Sequence, residues 1–416
     1  MEEKKSISMN KKLEKAYAEL IVKSGLNLKK GQSVIIKSNV DIEDFTALVV
    51  KQCYEAGAKY VHVLWQSEKV NKVQMKKAKT KALCETLPMD IAYQEWFTST
   101  LPAYLWLDSD DPDANKGINA EKAAKVKREK YLAVASLIEK RENKYQWCIA
   151  GVPSKKWAKK VFPEPTRSKA MEKLYEAILL TSRANDGNGI KNWQDHDENL
   201  KERCDYLNSL HLVKLHYTSS NGTDLTVGLI PEVNWLGGGE ETLDGTFFQP
   251  NIPSEEIFTS PRKGEAEGIV YSAKPLVYQG QLIRDFYVKF KDGKAIDVHA
   301  EEGEAALRSI LSLDEGSAYL GECALVPFDS PINNTGLLFY NTLFDENAAC
   351  HLALGRGFTN LYKDFQKYSE DEIHSFGINK SLSHVDFMIG SKDLNIVGTT
   401  SSGKEVQIFK DGNWAF

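Results

Sequence analysis

Five side chains able to hold a metal fall between Asn251 and Gly390: Glu256, Glu322, His351, His384 and Asp386. They lie in four short segments, 251–261 (NIPSEEIFTSP), 318–327 (AYLGECALVP), 346–355 (ENAACHLALG) and 384–390 (HVDFMIG). The tightest pairing is His384 with Asp386: residues two apart on a strand share a face, so an imidazole and a carboxylate emerge together while Val385 and Phe387 turn into packing. A buried carboxylate needs a partner, and a metal can be that partner. Glu322 or His351 taken singly reads equally well as half of a salt bridge or as a satisfied core residue; the clustering of all four segments favours one shared site. Three carboxylates and two neutral imidazoles, without thiolate, suit zinc, cobalt, manganese or magnesium in a hydrolase. Two divalent ions bring four positive charges; the carboxylates cancel three and a hydroxide cancels the fourth, which makes a nucleophile at neutral pH.

The elements that must position these groups are mostly strands. Residues 211–217 and 224–229 are short apolar or alternating runs joined by the turn signal Ser220-Asn221-Gly222, and 281–291 and 295–300 flank Asp292-Gly293, a strong hairpin signal. A helix is expected over 303–313, and 406–409 with Asp411-Gly412 forms a last hairpin. Prolines on both sides of Glu255-Glu256 fix the path of that segment. Glu255, beside a ligand candidate, is either an anchor for a substrate amine or a solvent-exposed neighbour.

The first half alternates differently. Leu13, Ala16, Tyr17, Leu20 and Ile21 recur at helical spacing, 33–37 (SVIIK) reads as a strand, Asp41 can cap a helix carrying Phe45, Leu48, Val49 and Cys53, and 60–65 (YVHVLW) is another strand. Residues 103–107 and 146–151 repeat the theme, which implies a mostly parallel sheet with helices on its faces. The expected fold is an α/β N-terminal domain with a mostly parallel sheet (1–205), plus a mixed α+β C-terminal catalytic domain rich in antiparallel strands (206–416). The boundary follows the polar stretch 183–201 with its Asp186-Gly187-Asn188-Gly189 loop signature. His62, alternating with Val61 and Val63, reads as a satisfied sheet histidine.

Composition removes several function classes. The net charge is −5 with signs interspersed, so no basic face is offered to nucleic acid. Apolar runs are far short of the roughly 20 residues of a membrane span. No glycine-rich phosphate loop opens a helix. Six cysteines at scattered spacings, and a charged N-terminus with no apolar segment behind it, give the expectation of a reduced, cytoplasmic protein.

The blocks PSEEIFTSP, LGECALV, LFYNTLFDENAACHLALG and SHVDFMIG, in this order, resemble the thermophilic aminopeptidase family of metallopeptidases (aminopeptidase T and S type), and GLNLKKGQSVIIKSNVDIEDFTALVVKQCYEAGAKYVHVLW resembles its N-terminal domain. The resemblance implies a cytosolic homodimeric exopeptidase that takes peptide substrates with a free N-terminus and uses two divalent metal ions, usually zinc, cobalt or magnesium. It places the metal ligands at Glu256, Glu322, His351, His384 and Asp386. Glu322 falls on the carboxylate shared by both ions; the mechanism expected of such a site is attack by a metal-bridging hydroxide. One position departs: where the family has an active-site tyrosine, seven residues past the histidine, this chain has Phe358, with Tyr362 and Tyr340 as candidate replacements. Losing such a hydroxyl donor typically costs about 10² to 10³ in turnover. Two other readings use the same ligand set. A dinuclear phosphoesterase is disfavoured by the lack of a cationic clamp, the four ligand segments holding no Lys or Arg and Arg356 standing just past the end of the third. A catalytically weakened metal-binding scaffold would follow from Phe358.

Overall fold

The computed structural model describes residues 2–163, 166–278 and 280–416. It divides into two compact units: the chain up to Asp195 together with Gly239–Pro253, and His196–Gly238 together with Ser254–Phe416. The expected boundary position near 205 lies inside the helix Gly189–Ser209.

The first unit is built on a parallel sheet of strands Asn251–Ile252, Trp147–Gly151, Ala103–Asp108, Ser33–Asn39 and Tyr60–Gln66, in that order. Helices such as Glu43–Glu55 and Arg167–Thr181 complete the α/β pattern. Asp41 does not cap the second helix. Asn39 accepts from the Asp41 N–H and starts a 3₁₀ turn, Val40–Ile42, and the α-helix begins only at Glu43. The short strand Asn251–Ile252 pairs with Trp147–Gly151 across about a hundred residues of sequence, a non-local pairing that no local pattern announces.

The second unit holds two antiparallel sheets. The larger runs Leu276–Tyr278, Gln281–Lys291, Pro261–Tyr271, Asp224–Leu229, Leu212–Thr218, Asn395–Thr400, Glu405–Lys410 and Asn413–Trp414, with Lys294–Glu302 also paired to Gln281–Lys291. Asp292 and Gly293 both take positive φ at the tip of the hairpin Gln281–Lys291/Lys294–Glu302, as a tight two-residue turn requires. The smaller sheet runs Leu236–Gly237, Ile257–Thr259, Leu320–Leu325, His351–Gly355 and His384–Met388, and carries the candidate site. The two sheets share one apolar core, in which Leu215, Val227 and Val288 of the larger meet Cys323, Leu352 and Phe387 of the smaller. Among the described residues no helix is long and apolar enough to cross a membrane.

Candidate metal centre

Alternation along three neighbouring strands decides which side chains leave the core. Cys323, Leu325, Leu352, Leu354, Val385 and Phe387 pack between the sheets. Glu322, Ala324, His351, Ala353, His384 and Asp386 are therefore carried on the opposite face. The register sets them side by side: Glu322 pairs with Ala353 and Ala353 with Asp386, while Ala324 pairs with His351 and Gly355 with His384. Glu256 precedes the strand Ile257–Thr259, whose Phe258 pairs with Ala324, so it shares this face. A β-bulge between Leu320 and Glu322 shifts the ladder at the point where the Glu322 side chain is aimed.

The five residues meet. Glu256 Oε2 is 3.2 Å from His351 Nε2, and His384 Nε2 is 3.0 Å from Glu322 Oε2 and 3.2 Å from Asp386 Oδ1. Donor atoms of Glu256, Glu322 and His351 all lie within 4.8 Å of one another, as do those of Glu322, His384 and Asp386. Glu322 belongs to both groups. His351 is 1% exposed at its side chain and His384 25%, so the site is open on the His384 side.

The residues fit divalent ions on their own geometry. His351 Nδ1–H donates to the Ala349 carbonyl (3.3 Å) and His384 Nδ1–H to the Arg356 carbonyl (2.8 Å), since a carbonyl can only accept. In the neutral rings each Nε2 lone pair then faces carboxylate oxygens at 3.0 to 3.2 Å, an arrangement that needs a cation between acceptors. Asp386 Oδ1 is buried and, apart from its 3.2 Å ion-pair contact with His384, has no hydrogen-bond partner among the described residues. Protons fill the role otherwise. Burial works to depress His351, but its bond to Glu256 and the charges of Glu256, Glu322 and Asp386 lift it to about 10. Against the same effect of burial, Asp386 and Glu322 hold His384 well above the usual imidazole range.

A sixth group belongs to the site and was not singled out from sequence. Glu346 ends the short helix Thr342–Glu346. Burial raises its carboxyl well above the usual range, and the charges of Asp386, Glu256 and Glu322 add to this while His351 opposes them. It stands five positions before His351 in DENAACH, where it reads as part of a polar turn. The signal that could have found it is that Glu346 is the single acidic side chain of the segment 346–355, which also carries His351.

Other expectations resolve differently. Glu255 is not a solvent-exposed neighbour: it is buried, its carboxylate 3.8 Å from His196 Nε2. Tyr362 packs with Tyr368 and Phe376, and the segment before it, Thr359–Leu361, is a 3₁₀ turn and not the α-helix on which its reach into the site depended. Phe358 lies at the open side, its ring 5.1 Å from the His384 ring and 5.3 Å from that of Phe258.

Residues 9–414 match the model of the thermophilic metalloprotease (M29) family. The chain is 41% identical to aminopeptidase AmpS of Bacillus subtilis (strain 168), over 96% of this chain and 98% of the relative. It is 35% identical to aminopeptidase T of Thermus thermophilus, over 98% and 99%. The solved structure of wild-type AmpT from Thermus thermophilus superposes with a TM-score of 0.88 at 34% identity, covering 98% of this chain and 99% of that one. With a sheet face that gathers side chains able to hold a metal and a match along nearly its whole length, the chain belongs to the M29 family of thermophilic metalloproteases.

Proposed function

We propose that this metallo-aminopeptidase releases N-terminal residues from peptides with a free amino terminus, using two divalent ions held by Glu256, Glu322 and His351 on one side and by Glu322, His384 and Asp386 on the other. Membership of the M29 family makes the chain a hydrolase of the exopeptidase kind. The observation that carries the two-ion reading is the sharing of Glu322 between two groups of donor atoms. Charge supports it: Glu256, Glu322 and Asp386 bring three carboxylates together on one largely buried face, and two divalent cations with one hydroxide balance them.

When bound, such ions polarise the scissile carbonyl and acidify water so that a hydroxide is available at neutral pH. The chain's own groups do the rest. Glu322 sets the spacing of the two ligand groups, and the backbone carbonyls of Ala349 and Arg356 hold both imidazoles in the Nδ1–H tautomer. Glu346, placed among the ligands but outside both three-residue groups, takes the proton of the attacking water on its carboxylate and returns it to the leaving amine. All six cysteines are free, in keeping with a reducing cytoplasm.

The test is reconstitution. Metal-stripped protein loaded with cobalt, zinc or magnesium is expected to hydrolyse leucyl-p-nitroanilide, to spare its N-acetylated form, and to leave p-nitrophenyl phosphate intact. Equal cleavage of the acetylated substrate would remove the free amine from the reading, and phosphatase activity would replace it.

A further inference from the structure

The segment that carries Glu256 is held from two sides by buried groups that are not ligand candidates. On one side His196 Nε2–H donates to the Ser254 carbonyl at 2.8 Å. On the other, the Glu255 N–H donates to Asn347 Oδ1 at 2.8 Å. Asn347 is fully buried and follows Glu346 directly. Its Nδ2 donates to the Leu343 carbonyl at 3.0 Å and lies 3.5 Å from Glu346 Oε1. One amide therefore uses its oxygen on the backbone one residue before Glu256, and its nitrogen on the helix that presents Glu346.

We infer that Asn347 is a positioning residue that fixes Glu256 relative to Glu346, coupling ion binding to proton transfer through the two ends of a single side chain. The inference rests on the roles proposed above for Glu256 and Glu346. Asparagine is suited to the task because it offers an acceptor and a donor at fixed separation. A buried amide with both ends used also makes the arrangement unforgiving, since removing one partner leaves the other unsatisfied. Partners one step behind a ligand are typically worth 10- to 100-fold in metal affinity or activity.

The experiment titrates Co²⁺ calorimetrically into metal-stripped protein and measures kcat at saturating Co²⁺. Asn347→Ala is expected to weaken Co²⁺ binding by about 10- to 100-fold and to lower kcat. Asn347→Asp keeps the acceptor for Glu255 N–H but loses the donor and adds charge beside Glu346. It is expected to bind Co²⁺ at or above the wild-type level while kcat falls. If the alanine variant does not fold, Asn347→Ser, too short to reach the Glu255 N–H, carries the same expectation. Wild-type affinity in the alanine or serine variant overturns the inference, as does a loss in the aspartate variant equal to that of alanine. A merely structural role would lower the melting temperature of the metal-free protein without moving Co²⁺ affinity, and that pattern also overturns it. Two controls separate this from the underlying reading. Full turnover in Glu346→Gln defeats the proton role alone, and unchanged Co²⁺ affinity in Glu256→Gln defeats the ligand assignment itself.

Discussion

Glu322 and Asp386 stand in one cross-strand row with only Ala353 between them. Two carboxylates so placed repel unless a cation lies over the small residue, and Ala353, fully buried, leaves the space. Ala353→Val is expected to cost about 1 to 3 kcal/mol through overpacking and to disturb the Glu322, His384 and Asp386 group more than the group containing Glu256 and His351. Stepwise cobalt titration would show one of two binding events weakened. Equal weakening of both, or neither, would sink the idea that this row defines one of the two ion positions.

The metal-free protein should lose stability as pH rises. His351 stands at about 10 in the fold against 6.5 for an ordinary imidazole. A raised folded value contributes stability that is fully present below 6.5 and is lost as pH climbs to about 10. The ligands bind ions in their deprotonated forms, so the metal-loaded protein moves the other way. Melting curves with and without chelator should diverge progressively across that window; a constant gap would mean that the histidine contacts do not set stability.

Phe358 presents a ring without a hydroxyl at the open side of the site, against His384. Phe358→Tyr is expected to raise kcat for leucyl-p-nitroanilide by up to about 10²-fold if a donor to the developing oxyanion is missing there. Cobalt affinity should stay unchanged, because the side chain is not a ligand candidate. An unchanged kcat would show that another group already supplies the donor.

Much of the fold is local in origin and could be read from the chain. The alternation that places His384 and Asp386 opposite Val385 and Phe387 is a period of two in five residues. The Asp292-Gly293 turn and the strand Ser33–Asn39 are likewise carried by short-range pattern. What could not be read depends on tertiary placement. Glu346 enters the site only because the helix Thr342–Glu346 packs against the strand His384–Met388. Glu255 is buried beside His196, which lies far back in the sequence. Asn251–Ile252 joins the first unit by a parallel pairing that its own residues do not encode.

Gly321 tests whether the bulge aims Glu322. A Cβ at this position would lie 2.2 Å from the Arg356 carbonyl oxygen and 2.5 Å from that of Gly355. The Arg356 carbonyl is the acceptor that fixes the tautomer of His384. Gly321→Ala therefore pushes on Glu322 from its own strand and on His384 through its backbone partner at once. We expect a loss of about 1 to 3 kcal/mol in the metal-free protein, as for other overpacked positions. We also expect weaker cobalt binding, by about 10- to 100-fold, as when an outer partner of a ligand is disturbed. Chemical denaturation and calorimetry on the same preparation read the two effects separately. A stability loss with unaltered cobalt affinity would show that the strand absorbs the methyl elsewhere and that the bulge does not position the shared carboxylate.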